Sequence, residues 1–229
     1  MPNFDSYQKN IGTKFNADGS VRFFPGNTII SMMDHQSAAF AAFQHIRSML
    51  RTCPASRCCT LLPEESIHMT VIEGVCHQWR RPELWTSMLP VDCRLSQVDD
   101  LFEERFKAVG PLGTVRMRME QLVGESCFLI RLAPEDDMDL KELCRYRDEV
   151  SEALGIRFPN HDAYRFHVSL CYITSRPSPE EADQLHSFME AANQYIEQTD
   201  TVFTVQQPQL TYFDNMFRFS PHRIPRGNL

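Results

Sequence analysis

Ser66-Ile67-His68-Met69-Thr70-Val71-Ile72 alternates polar and apolar side chains along its length. On a β-strand, residues i and i+2 point to one face, about 6.6–6.8 Å apart. Ser66, His68 and Thr70 therefore share one face, and Ile67, Met69 and Val71 share the other. About one hundred residues later the pattern returns in Arg165-Phe166-His167-Val168-Ser169-Leu170-Cys171-Tyr172. There Arg165, His167 and Ser169 lie opposite Phe166, Val168 and Leu170. Each strand turns an apolar row into a core. Its polar row, imidazole then hydroxyl, faces water, a cleft or a ligand, because a buried polar row needs a hydrogen-bond partner at every atom.

The flanks of the two strands also match. Thr28-Ile29-Ile30 reads as a strand, and Phe40, Phe43, Ile46, Met49 and Leu50 follow at helical spacing until Cys53-Pro54. Cys127 to Leu132 reads as a second such strand. Asp139 to Leu154 reads as its helix, with Leu140, Leu143, Tyr146, Arg147 and Val150 along one side and Gly155 as the stop. Ile30 precedes His68 by 38 residues, and Ile130 precedes His167 by 37. This spacing points to a duplicated unit, with repeats at about 23–75 and 126–175; two copies are too few for a solenoid. Residues 76–125 add a short helix at Asp99 to Phe106 and a strand at Thr114 to Met119. Residues 176–220 add a long helix, with Ser178 as N-cap and Pro179 in its first turn. Short strands at Val202 to Val205 and Gln209 to Phe213 follow. The tail after Ser220 is expected to be loose. One domain over 1–229 holds all of this.

The composition bounds the function. The chain has 229 residues, 42% hydrophobic and 23% charged, which suits a globular fold with a core that needs no disulfides. Its 23 basic and 30 acidic residues leave a charge of −7, which disfavours long nucleic acid as a partner. A small anionic ligand held by a few local groups stays open. No apolar run reaches the roughly 18–20 residues that span a bilayer, so no membrane partner is expected. Met1 to Asn10 is polar and carries no secretion signal. The eight cysteines form no Cys-x-x-Cys pair and read as reduced thiols in a cytoplasmic protein, with a monomer favoured.

Two imidazoles and two hydroxyls suit in-line displacement at phosphorus. Histidine titrates near neutral pH, so one ring serves as base and the other, charged, as acid. Such help is worth about 10²–10⁴-fold per group. The hydroxyls of Thr70 and Ser169 donate hydrogen bonds to the non-bridging oxygens and stabilise developing charge. His35-Gln36-Ser37 repeats the bare tripeptide beside a helix, lacks the flanking alternation, and reads as incidental. A metal site from His161, His167 and His68 lacks ligand spacing. Arg165 shares a face with His167 and is a phosphate partner or a surface salt bridge. Asn27 either reaches the cleft or serves a turn at Gly26, with the turn favoured. Tyr164 and Tyr172 have the wrong parity for the polar row and read as core, unless a loop redirects Tyr164. Trp85 reads as structural, with base stacking as the alternative.

The paired His-x-Thr/Ser strands resemble the two-histidine (2H) phosphoesterase superfamily, which includes 2′-5′ RNA ligase-like proteins and cyclic phosphodiesterases. Pro25-Gly26-Asn27-Thr28-Ile29-Ile30, His68 to Val75 and His161 to Leu170 resemble an uncharacterised branch of it, a domain of unknown function. The resemblance implies an α+β, duplicated bilobal fold. Two pseudo-symmetric lobes, each with an antiparallel sheet and outer helices, would flank a central cleft. It implies catalytic His68 and His167, with Thr70 and Ser169 on the substrate phosphate. The expected activity is a metal-independent, cofactor-free phosphodiesterase acting on a 2′,3′-cyclic or 2′-linked nucleotide or RNA-end phosphodiester. The alternatives are a nucleotide- or RNA-end-binding module without turnover and an RNA 2′-5′ ligase. Asn27, Arg165 and Tyr164 are secondary candidates.

Overall fold

Ser37 begins the first helix, its hydroxyl accepting the Phe40 N–H, while Asp136 and Ser178 cap two later helices in the same way. Gly155 ends the third with φ of 63°, a left-handed position that favours glycine. The computed structural model describes residues 4–226. In chain order the elements are β1 (Gly26–Met32), α1 (Ala38–Thr52), β2 (Cys59–Leu61), β3 (His68–Cys76), α2 (Leu95–Phe106), β4 (Arg116–Gly124) and β5 (Cys127–Pro134). Then come α3 (Asp137–Leu154), β6 (His167–Ile173), α4 (Pro179–Gln198), β7 (Phe203–Thr204), β8 (Gln209–Asn215) and β9 (Arg218–Ser220). Among the described residues no helix is long and apolar enough to cross a membrane.

The strands form one antiparallel α+β sheet in the order β7-β4-β5-β6-β3-β1-β8-β9, with β2 also on β6. The order is symmetric about the β6–β3 junction. Each of the β5–β6 pairs repeats a β1–β3 pair with both residue numbers raised by 99: Ile30↔Thr70 becomes Leu129↔Ser169, and Met32↔His68 becomes Arg131↔His167. The equivalent of Ile30 is thus Leu129 rather than Ile130, and the two spacings to histidine become equal. The outer strands are exchanged between the halves. Strand β4, which precedes β5 in sequence, pairs with it, whereas β8 from the end of the chain pairs with β1. The helices follow suit: α1 packs on α4 and α2 on α3, while α4 lies on β4 and α2 on β8.

One continuous core runs beneath both halves, with Ile29, Phe43, Met69, Val71, Phe128, Tyr146 and Val168 all essentially sealed. Burying each such side chain is worth roughly 1.5–3 kcal/mol. Leu140 departs from the expected apolar side of α3 and is exposed, because the helix turns that position to solvent. The tail is not loose up to Arg226. That guanidinium is buried against Asp99 at 3.0 Å and donates to the carbonyl oxygens of Gly26 and Phe213. The last three residues of the tail and the first three of the polar N-terminal stretch lie outside the described residues. All eight cysteines are unbridged, and burial pushes the Cys58 thiol up to about 11.

Candidate active site

Both histidines are fixed by the same local device. The polar row expected to begin at Ser66 and Arg165 begins instead at His68 and His167, the first residues of β3 and β6. The residues two positions earlier contribute their carbonyls. His68 Nδ1 lies 2.7 Å from the Ser66 oxygen, and His167 Nδ1 lies 3.0 Å from the Arg165 oxygen. A carbonyl only accepts, so each Nδ1 carries the proton and each Nε2 is left for chemistry.

The β3–β6 junction sets the rings together. Met69 pairs with Val168 in antiparallel register. One residue to either side, His68 lies across from Ser169 and Thr70 lies across from His167. The two histidines are then diagonal neighbours, a relation that spans about 7–8 Å in an antiparallel pair. Met69 and Val168 point into the core, and the four polar side chains point the other way, into one cavity of about 470 Å³.

The two rings differ in surroundings. His68 packs against Phe219, ring centres 4.3 Å apart. Burial, with the neighbouring His167 adding to it, pushes its pKa down to about 4, although the Ser66 carbonyl works in the opposite direction. His167 has the Tyr164 ring at 6.3 Å.

A matching irregularity follows each motif. Val71 and Leu170, three residues after their histidines, are β-bulges, seen where the register steps from Ile29↔Ile72 to Ile30↔Thr70 and from Phe128↔Cys171 to Leu129↔Ser169. An extra residue resets the alternation. Position five after each histidine therefore rejoins the cleft face: Glu73 in β3 and Tyr172 in β6, both lining the cavity. Tyr172 is not core packing, because the bulge reverses the parity on which that reading stood.

Tyr164 also lines the cavity, redirected by the loop before β6. Burial, with Glu73 adding to it, pushes the pKa of its hydroxyl up, while Thr70 works in the opposite direction. The Arg147 guanidinium lies 4.4 Å from its ring centre and donates to the carbonyls of Val71 and His161. Asn27 serves no turn. It sits inside β1 and lines the cavity, while its amide donates to Asp99 at 2.8 Å and accepts from the Val75 N–H at 3.0 Å, so its polar atoms brace β1, β3 and α2. Arg165 is exposed and is not among the residues lining the cavity, because the strand starts after it. Trp85 is buried, its N–H on the Pro90 carbonyl. His161 is buried beside Asp148, away from the other two histidines. Asp148, His161 and Asp162 converge, but Arg157 is paired with both carboxylates. Ser37 of the third tripeptide is a helix cap.

Lys14, Trp79, Glu73 and Asn160 line the cavity without having been singled out from the sequence. Lys14 lies far from either motif along the chain, Trp79 sits in a short helical turn directly after β3, and Glu73 was hidden by the bulge.

Comparison with known proteins adds the following. Residues 14–127 match the family model described as "2H-phosphodiest: Domain of unknown function (DUF1868)". This stretch holds His68 and Thr70, whereas His167 and Ser169 lie beyond it. No curated protein matches the chain. The crystal structure of ATU0111, a conserved protein of unknown function from Agrobacterium tumefaciens, is similar at 26% identity and a TM-score of 0.84, over 93% of this chain and 90% of that one. TT0787 of Thermus thermophilus is similar at 14% identity and a TM-score of 0.46, over 81% and 87%. Usb1 of Kluyveromyces marxianus is similar at 11% identity and a TM-score of 0.43, over 85% and 95%. Likeness at the level of these last two assigns neither substrate nor mechanism. The match of residues 14–127 to this model places the chain in the 2H-phosphodiesterase family.

Proposed function

We propose that the protein is a phosphodiesterase that opens a 2′,3′-cyclic or 2′-linked nucleotide or RNA-end phosphodiester by two-histidine acid–base catalysis, with no metal or cofactor. One observation carries this reading. Two imidazoles, each with Nδ1 engaged and Nε2 left over, meet diagonally in one cavity, each across from a hydroxyl of the other strand. A phosphate seated between them has a proton acceptor on one side and a donor on the other. His68, held neutral at ordinary pH, takes the proton from the attacking water through Nε2. The water oxygen bonds to phosphorus as the ester bond opposite breaks. His167, in its charged form, gives its Nε2 proton to the leaving oxygen. Thr70 and Ser169 donate to the non-bridging oxygens, where charge builds up.

The test is turnover of 2′,3′-cyclic nucleotides and 2′-5′ dinucleotides with chelator present. His68→Ala and His167→Ala are each expected to lower kcat by about 10²–10⁴-fold while the fold persists. Turnover that vanishes with chelator, turnover that survives both substitutions, or ligand binding without any turnover would each overturn the proposal.

A further inference from the structure

Lys14 is the one lysine or arginine among the residues lining the cavity. Its ammonium donates to the Tyr172 hydroxyl at 3.3 Å. It also lies 5.0 Å from the centre of the Tyr172 ring and 5.6 Å from those of Phe24 and Trp79. Among the described residues no carboxylate pairs with it. Its backbone is held on both sides, its N–H on the Asn10 carbonyl and its own carbonyl accepting from Arg22. Phe15, sealed in the core against Tyr172, anchors the segment. A cation held this firmly, half-buried and without a counter-charge, leaves an unmet demand for an anion. Burial works to strip its charge, but Tyr172 beside it holds the pKa above the ordinary lysine value.

We infer that Lys14 and the Tyr172 hydroxyl form a second anion subsite, for a second phosphate on the molecule whose diester sits between His68 and His167. The placing of the diester rests on the proposed function. Tyr172 lies opposite Cys127 and Ser169 opposite Leu129, so with the bulge at Leu170 between them the two are two strand steps apart along β6, about 7 Å. That is the scale of one nucleoside with a phosphate at each end. Trp79, exposed beside the subsite, offers a flat face for its base. The substrate class narrows accordingly, to nucleotides or RNA ends that carry a terminal phosphate as well as the diester.

The experiment is calorimetric titration with adenosine 2′-monophosphate and adenosine 2′,5′-bisphosphate, neither of which needs turnover. The unmodified protein is expected to bind the bisphosphate about tenfold tighter, with an advantage that shrinks as salt rises. Lys14→Met is expected to bring the ratio to about one, and Lys14→Arg to keep it. Equal affinities in the unmodified protein, a ratio indifferent to salt, or a ratio that survives Lys14→Met would overturn the inference. The salt series needs only the unmodified protein, so the test stands if Lys14→Met does not fold. A Lys14-dependent preference in a protein that cleaves nothing refutes the proposed function alone. Cleavage with no preference refutes the subsite alone.

Discussion

His68 and His167 make the same hydrogen bond to a carbonyl two residues back, yet only one of them is pressed against a phenylalanine ring. Burial disfavours the charged imidazole, and a second imidazole nearby disfavours it further. With a pKa of about 4, His68 stays in its base form well below the usual histidine range. The acid limb of kcat/KM, which reports the unliganded protein, is therefore expected near pH 4 rather than near 6.5; an acid limb at 6.5 would assign the base elsewhere. The same shift affects stability. The folded-state pKa lies below the unfolded value, so the unfolded chain binds the extra proton first. Stability from this group is full above about pH 6.5 and is lost as pH falls towards 4. His68→Asn is expected to flatten that part of the denaturation profile. Tyr164 lines the cavity beside His167. Tyr164→Phe is expected to lower kcat several-fold and leave the pH limbs in place, since a polar group of the cleft, worth about 1 kcal/mol, is lost without a change in either imidazole.

At the level of elements, the paired bulges matter most. Without them, strict alternation would carry Glu73 and Tyr172 into the core and leave Ile72 and Cys171 facing the cleft. Strand β3 carries a second constraint at Gly74. A Cβ there would lie 2.3 Å from both the Asn27 carbonyl oxygen and its Oδ1. Backbone cannot move aside as a flexible side chain can. Gly74→Ala is thus expected to cost about 1–3 kcal/mol, read as a lower urea midpoint. A midpoint equal to that of the unmodified protein would mean that β1 and β3 approach less closely than described.

Across the whole molecule, the exchange of outer strands ties the two halves together: β4 lies in one half of the sheet and β8 in the other, each arriving from the opposite repeat. The core beneath is continuous. A single unfolding transition, coincident by near- and far-ultraviolet circular dichroism, is expected; two separated transitions would show halves that fold alone. The end of the chain takes part. Arg226 and Asp99 are both buried, and removing one partner leaves the other charge unpaired. Arg226→Met is expected to destabilise by about 3–5 kcal/mol, a loss that the unfolding curve reads directly.

The alternation around His68 and His167, the Ser178 cap and the Gly155 stop were legible in the chain because each is a local pattern of periodicity or backbone conformation. So was the duplication, to within the one residue by which Ile130 stood in for Leu129. The bulges were not legible, since Val71 and Leu170 look like ordinary strand residues and an extra residue exists only relative to a partner strand. Lys14 beside Tyr172, the docking of Arg226 and the diagonal meeting of the histidines each join residues far apart in sequence. The closing of the sheet at β3 and β6 brings the histidines together, and only the packing of the whole chain brings the other groups within hydrogen-bonding or charge-sensing range, because those interactions fade over a few ångströms.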